Sequence, residues 1–462
     1  MDKYREFLET KKNLPDISGF DVEMTNQLAF DWQKKISEWA CKQGRAALFE
    51  DCGLGKTPQE LMIAEAVAKE TDKPVLILAP LAVAQQTHRE GVKFEIPVNV
   101  AEMQADIKKG INITNYEKLQ KFDTSVFGGV ILDESSILKS YMGKTKRMLV
   151  ESFRHTPYKF AATATPAPND LMELLNHAEF LGVMRSSEAL GMWFIADQSQ
   201  SGKYRLKGHA EQDFWQWVSS WAVCIEKPSD IGYSDEGYIL PKLNEIDEII
   251  PVSELSEDFT QGMFRNIETS ATGFYKEKRM TLLERANRCA EIVNNSTEQF
   301  VVWCDTNGEA DALKRLIPDS IEVRGSDKPE TKEMAGIKFV NGEYRVLISK
   351  PTIFGYGLNF QNCFNTVFCG LTYSYENYYQ AVRRFYRFGQ TKPVNVYRVI
   401  GSTELHILDT INRKQGVKNE MADSMAKAMK NYQTNAINGR AFKLDLTENE
   451  YKMPTWLKQE VL

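Results

Sequence analysis

Short runs of consecutive apolar residues alternate with segments of helical spacing through most of the chain. Ala46-Ala47-Leu48-Phe49 precedes a glycine-rich turn, and Pro58 to Lys69 then carries apolar residues at helical spacing. Val75-Leu76-Ile77-Leu78-Ala79 is followed by a helix-like stretch from Leu81. Ile111 to Thr114, Gly129 to Leu132 and Lys159 to Thr163 read as further strands. The runs are continuous rather than alternating, which means strands buried on both faces. That predicts a parallel sheet between layers of helices. The rhythm returns later in the chain. Gln299 to Cys304, Arg345 to Ile348, Asn365 to Cys369 and Val394 to Ile400 read as strands, with a helix over Asn307 to Leu316.

Two α/β units are therefore expected. Leu240-Pro241 and Ile250-Pro251 interrupt regular structure near 240–255. The predicted division is 1–245, 246–432 and a tail at 433–462. Between about 170 and 235 the strand rhythm lapses, and Trp193, Trp215, Trp217 and Trp221 mark a helical insertion whose rings should pack its core. Met421, Met425 and Met429 recur at helical spacing and predict a packed C-terminal helix, and Pro454-Thr455-Trp456 could dock back on the core.

Composition narrows the classes. A chain of 462 residues allows two to four domains of roughly 100–200 residues each. A formal net charge of −6 excludes indiscriminate coating of nucleic acid, so any such site must be local. The seven cysteines contain no Cys-x-x-Cys pair and the five histidines do not cluster. That pattern favours reduced thiols and no zinc site. Val75 to Ala84 contains Pro80 and is far shorter than the ~20 residues that span a bilayer. A soluble cytoplasmic protein with no membrane partner is expected.

Three segments carry chemistry. Asp51-Cys52-Gly53-Leu54-Gly55-Lys56-Thr57 follows a strand and opens a helix. Its glycines let backbone N–H groups turn toward phosphate oxygens, and the helix N-terminus adds positive potential. Lys56 would reach the β- and γ-phosphates and Thr57 would hold Mg²⁺. Glu50 stands where the usual loop has Gly or Ala. Asp133-Glu134 ends an apolar strand, where Asp133 could bind Mg²⁺ and Glu134 could act as general base. Gln380 to Gln390 is the densest basic segment. Within it Arg384 and Arg387, three apart, would share a helical face suited to a transferring phosphoryl group.

In this order the segments resemble helicase superfamily two, and within it the Swi/Snf-like branch of DNA translocases. Phe30-Asp31-Trp32-Gln33 resembles the adenine-reading glutamine motif, Leu78-Ala79-Pro80-Leu81 motif Ia and Ile113 to Glu117 motif Ib. Asp133-Glu134-Ser135-Ser136 sits at motif II, Thr163-Ala164-Thr165-Pro166 at motif III with Pro166 to Asn169 continuing it, and Val302 to Asp305 at motif IV. Gly355 to Gln361 resembles motif V, Gln380 to Gln390 motif VI, and Gly401 to Ile407 the helix that closes the second domain.

The resemblance implies an α/β protein of two tandem RecA-like domains, with a helical insertion after motif III and a C-terminal helical tail. ATP with Mg²⁺ would sit between the domains. Gln33, Gly53, Gly55, Lys56, Thr57 and Gly357 would contact the nucleotide, and Thr57 and Asp133 the metal. Lys56, Glu134, Gln380, Arg384 and Arg387 would serve catalysis, with the two arginines arriving from the second domain. Thr163 and Thr165 would couple hydrolysis to movement. Thr114, Asn115, Asp305, Thr306 and Lys350 would face nucleic acid, chiefly double-stranded DNA. An RNA helicase and an ATP-switched binding module are the alternatives. One departure concerns motif II. Ser136 stands where many relatives carry a His that links hydrolysis to motif III, and its hydroxyl could supply that link instead. The minimal build suggests a bacteriophage or bacterial origin.

Overall fold

A computed structural model describes residues 19–80, 83–139, 143–168, 170–196, 204–251, 278–354 and 359–437. The strands of the first half are β1 (Arg45–Glu50), β2 (Val75–Ala79), β3 (Val98–Val100), β4 (Ile111–Asn115), β5 (Gly129–Asp133) and β6 (Tyr158–Thr163). An antiparallel pair follows, β7 (Phe194–Ala196) and β8 (Tyr204–Leu206), and then β9 (Ala222–Ile225). Seven strands form one parallel sheet in the order β3-β4-β2-β5-β6-β1-β9. Apolar clusters fill both faces, one around Leu76, Leu78, Phe127 and Leu132 and the other around Ile36, Leu61, Ile77 and Ile131. Burial on both faces explains why these strands read as unbroken apolar runs.

The second sheet comprises β10 (Leu243–Ile250), β11 (Phe300–Trp303), β12 (Ser320–Glu322), β13 (Val346–Ser349), β14 (Asn365–Cys369) and β15 (Val394–Gly401). All its pairings are parallel, in the order β10-β15-β14-β11-β13-β12. Two parallel sheets flanked by helices thus make the expected α/β architecture of two RecA-like lobes.

Besides the short strands β3 and β12 and the pair β7 and β8, the structure departs from the sequence expectation at the joint and in the Trp-rich segment. β10 occupies the stretch between Pro241 and Pro251 that was expected to be only a joint, and it is an edge strand paired with β15. The Trp-rich segment contributes a sheet strand, β9, as well as the helices Glu173–Leu181, Ser186–Trp193 and Glu211–Ser219. Its tryptophans are buried, and Trp193 stacks on Trp217 with ring centroids 4.5 Å apart.

The last helix, Leu405–Ile437, joins both lobes. Ile407, Leu408 and Ile411 lie in the second lobe's core, whereas Met425 is buried in the first lobe's core with its sulfur 4.0 Å from that of Cys224. Met421 and Met429 lie on this helix, and Pro454-Thr455-Trp456 falls outside the described residues.

Candidate ATP site between the lobes

β5 pairs with β6, and β6 with β1, so their carboxyl ends lie side by side. Ligands of open α/β sheets are held at such ends. Asp133 ends β5 with Glu134 just beyond it, Thr163 ends β6, and the loop 51–55 follows β1.

The loop turns through Gly53 (φ +92°) and Gly55 (φ +79°). Neither position has room for a side chain. A β-carbon at Gly53 would lie 3.0 Å from the Phe388 amide nitrogen of the second lobe, and one at Gly55 would lie 2.2 Å from Gln33 Nε2. Gln33 braces the loop from below. Its Nε2 donates to the Leu54 carbonyl at 2.8 Å, and its Oε1 accepts from the Phe30 amide at 3.0 Å. Lys56 opens the helix Lys56–Thr71, and Thr57 follows in the first turn. Lys56 Nζ donates to the carbonyls of Glu50 at 2.9 Å and Asp51 at 3.3 Å. Burial opposes its charge, but Cys52, Glu134, Glu50 and Asp51 hold its pKa above the ordinary lysine value.

Besides Asp51, four carboxyls lie around this ammonium. Glu50, Glu60 and Asp133 are buried and Glu134 is half-buried. Burial raises the pKa of each, taking Glu50 and Asp133 to about 7. Glu134 is the second cause of the Asp133 shift. Both carboxyl oxygens of Glu60 and Oε2 of Glu134 have no hydrogen-bond partner among the described residues. Glu134 also has φ +52°, a left-handed conformation that costs a non-glycine residue roughly 1–3 kcal/mol. The Thr163 hydroxyl reaches the Glu134 carboxylate and accepts from the Thr165 amide at 3.1 Å. Thr165 is buried, with Oγ1 unpartnered among the described residues. Buried carboxylate oxygens without partners fit a divalent cation, and the glycine loop with Lys56 fits a polyphosphate.

The second lobe closes over this edge. Arg384 is buried and its charge acts on both Asp133 and Glu134. Its Nη2 donates to Gln380 Oε1 at 3.4 Å, and that oxygen lies 3.9 Å from the Cys52 sulfur. Arg387 donates to Asn359 Oδ1, and burial together with Arg384 lowers its pKa to about 10. The shared helical face expected for the two arginines is not formed. The helix Tyr375–Val382 ends at Arg383, and both arginines lie in the turn beyond, where Phe385 is fully buried and Gly389 has φ +86°.

Sequence reasoning missed Arg383 as a site residue. Its Nη2 donates to Asp51 Oδ2 at 2.5 Å and to the Cys52 carbonyl at 2.9 Å, and the Tyr379 hydroxyl donates to Asp51. It also missed an aromatic cluster beside Gln33. The Phe30, Tyr238 and Phe388 rings meet there, with Tyr238 and Phe388 centroids 4.6 Å apart. Phe30 adjoins the glutamine motif, but Tyr238 gives no sequence signal because it comes from the link between the sheets.

Thr114 and Asn115 end β4, and Asp305, Thr306 and Lys350 follow β11 and β13 at their carboxyl ends. Thr114 and Asn115 are buried, with Asn115 Oδ1 accepting from the Lys118 amide. Asp305 pairs with Lys278 at 3.0 Å, and Thr306 caps the helix Asn307–Leu316. Lys350 lines a cavity of about 40 Å³ with Asp305, Thr352 and Asn377. Gly357 lies outside the described residues.

Motif II differs from the link expected of Ser136. Ser136 bonds to Glu376 of the second lobe, while Thr163 reaches Glu134 directly. Ser135 Oγ lies 3.1 Å from His177 Nε2, and the other ring nitrogen, Nδ1, lies 3.3 Å from the Glu173 carbonyl. Burial lowers the His177 pKa from the usual 6.5 to about 4. The unfolded chain therefore takes up a proton near pH 6.5 that the folded chain refuses until about pH 4. This stability is present above pH 6.5 and is lost as pH falls toward 4, in total about 3 kcal/mol. H177Q removes that titration. Between pH 7.5 and 4.5 its stability in denaturant melts should fall less than the wild type's, and parallel profiles would contradict the burial assigned to His177.

Residues 32–199 match the SNF2-related domain family, and residues 284–389 match the helicase conserved C-terminal domain family. A phage relative, putative protein p41 of Acyrthosiphon pisum secondary endosymbiont phage 1, is 23% identical over 84% of this chain and 95% of its own length. Mouse DNA annealing helicase and endonuclease ZRANB3 is 24% identical over 95% of this chain and 44% of its own length. The chain thus spans less than half of that vertebrate relative. A solved structure, the Sulfolobus solfataricus SWI2/SNF2 ATPase core in complex with dsDNA, is similar at 18% identity and TM-score 0.41, covering 90% of this chain and 98% of that one. These two matched domains define an ATP-hydrolysing enzyme of the helicase type. Within that class the chain carries an SNF2-related domain followed by a helicase conserved C-terminal domain. Among the described residues no helix is long and apolar enough to cross a membrane.

Proposed function

We propose that the protein hydrolyses ATP between its two lobes and uses the cycle to move along double-stranded DNA. One observation carries this reading. Lys56, Asp133 and Glu134 of the first lobe share a single electrostatic site with Arg384 of the second. Turnover at such a site requires the lobes together, so each hydrolysis can drive closure and release. A named DNA helicase among the relatives supports DNA as the track.

In this reading Gln33 reads the base and the Gly53–Gly55 turn cradles the phosphates. Lys56 neutralises them, Glu134 takes the proton of the attacking water, and Gln380, Arg384 and Arg387 meet the charge that develops on the transferred group. Thr57 and Asp133 would hold Mg²⁺, which when bound offsets phosphate charge. Thr163 and Thr165 tie the base to β6. Lys350, with Thr306 and Asp305 nearby, is proposed to face the duplex backbone, and such contacts position a duplex without reading its sequence, whereas Thr114 and Asn115 are buried and leave that role. The experiment is displacement of a third strand from a triplex. ATP-dependent displacement is expected, and a protein that binds duplex but never displaces the strand would contradict movement.

A further inference from the structure

We propose that Glu376 is a positioning residue that reaches from the second lobe to set the turn carrying Glu134. The proposal rests on ATP hydrolysis in the cleft described above.

The turn Ser135–Lys139 directly follows Asp133-Glu134. Glu376 stands in the first turn of the helix Tyr375–Val382 and uses both carboxylate oxygens on that turn. Ser136 Oγ donates to Oε1 at 2.6 Å, and Lys139 Nζ meets Oε2 at 2.5 Å. Ser136 and Glu376 are both buried, so their bond is shielded from water, whereas Lys139 remains nearly half exposed. A carboxylate held by two donors is fixed in place more firmly than a single exposed ion pair would hold it.

The helix explains why this contact can report on the cleft. At one end Glu376 touches motif II. At the other, Tyr379 and Arg383 hold Asp51 of the phosphate loop. One short rigid element thus grips both halves of the first lobe's chemistry. Glu134 sits in a left-handed backbone conformation immediately before the turn that Glu376 holds. If the lobes part, Ser136 and Lys139 lose their acceptor, and the turn is free to relax. A lobe contact, rather than a link inside the first lobe, then decides when the base is aimed.

The test is steady-state ATP hydrolysis by the full chain, with and without duplex DNA, for wild type, E376Q, E376A and the reversed pair K139E/E376K. E376A should lower kcat about tenfold, the rate equivalent of one charge-assisted hydrogen bond, with KM for ATP within about twofold. E376Q keeps an acceptor for Ser136 and should fall between. The reversed pair should recover much of the loss, which a purely structural defect would not allow. A wild-type kcat in E376A, or a reversed pair no better than E376A, overturns the proposal. The same ranking is expected in basal turnover. A wild type that hydrolyses ATP but ignores DNA therefore overturns the motor reading while the variants still decide on Glu376.

Discussion

E134Q should bind nucleotide within a few-fold of wild type yet hydrolyse it about 10²–10⁴-fold more slowly, the range for loss of a general base. The substitution keeps the side chain's shape, so the bond from Thr163 and the packing at the end of β5 should survive. What disappears is the carboxylate that can accept a proton. Burial raises the affinity of Glu134 for that proton, while Lys56 and Arg384 limit the shift. The buried Oε2 of Glu134 has no hydrogen-bond partner among the described residues, so that oxygen keeps its acceptor capacity. Single-turnover hydrolysis beside a fluorescent-nucleotide titration separates the two effects. Near-wild-type hydrolysis would remove Glu134 from the chemistry.

K56A should weaken nucleotide binding at least about 100-fold, corresponding to roughly 3 kcal/mol of charge-assisted bonding to phosphate. It should also lower the melting temperature of the nucleotide-free protein. Lys56 is the ammonium around which Glu50, Glu60, Asp133 and Glu134 are gathered, and removing one partner of buried charges is costly. Calorimetric titration and thermal melts read the two consequences. Unchanged affinity would contradict the phosphate-loop assignment. Unchanged melting would mean that the carboxyls are held without the lysine.

Much of the fold was legible because β1, β2, β5, β11 and β14 are buried on both faces and therefore appear as unbroken apolar runs. β10 was hidden for the opposite reason. As an edge strand it mixes Ile246, Ile249 and Ile250 with Glu245, Asp247 and Glu248, so no unbroken apolar run forms, and its acids pair with Arg398 and Arg288. β9 was hidden because four strand residues inside a Trp-rich stretch carry no periodicity of their own.

The candidate site divides in the same way. Lys56, Asp133 and Glu134 each follow a recognisable strand and could be named from local pattern. That they face one another depends on the strand order β5-β6-β1, which local pattern does not contain. Arg383 looked like one member of a basic run, since its partner Asp51 is 332 positions away. Glu376 gives no signal in the sequence, because Ser136 and Lys139 lie 240 and 237 positions earlier. A pairing made across the cleft, unlike the basic segment itself, leaves no local trace.

The central claim is that hydrolysis in this cleft is driven by double-stranded DNA. ATP turnover measured side by side with duplex DNA, single-stranded DNA and RNA tests it most directly. Duplex DNA should raise kcat well above the basal rate and above the other two, and rising salt should weaken the effect as backbone contacts are screened. Turnover that duplex DNA leaves at the basal level, or that RNA alone accelerates, would contradict the account.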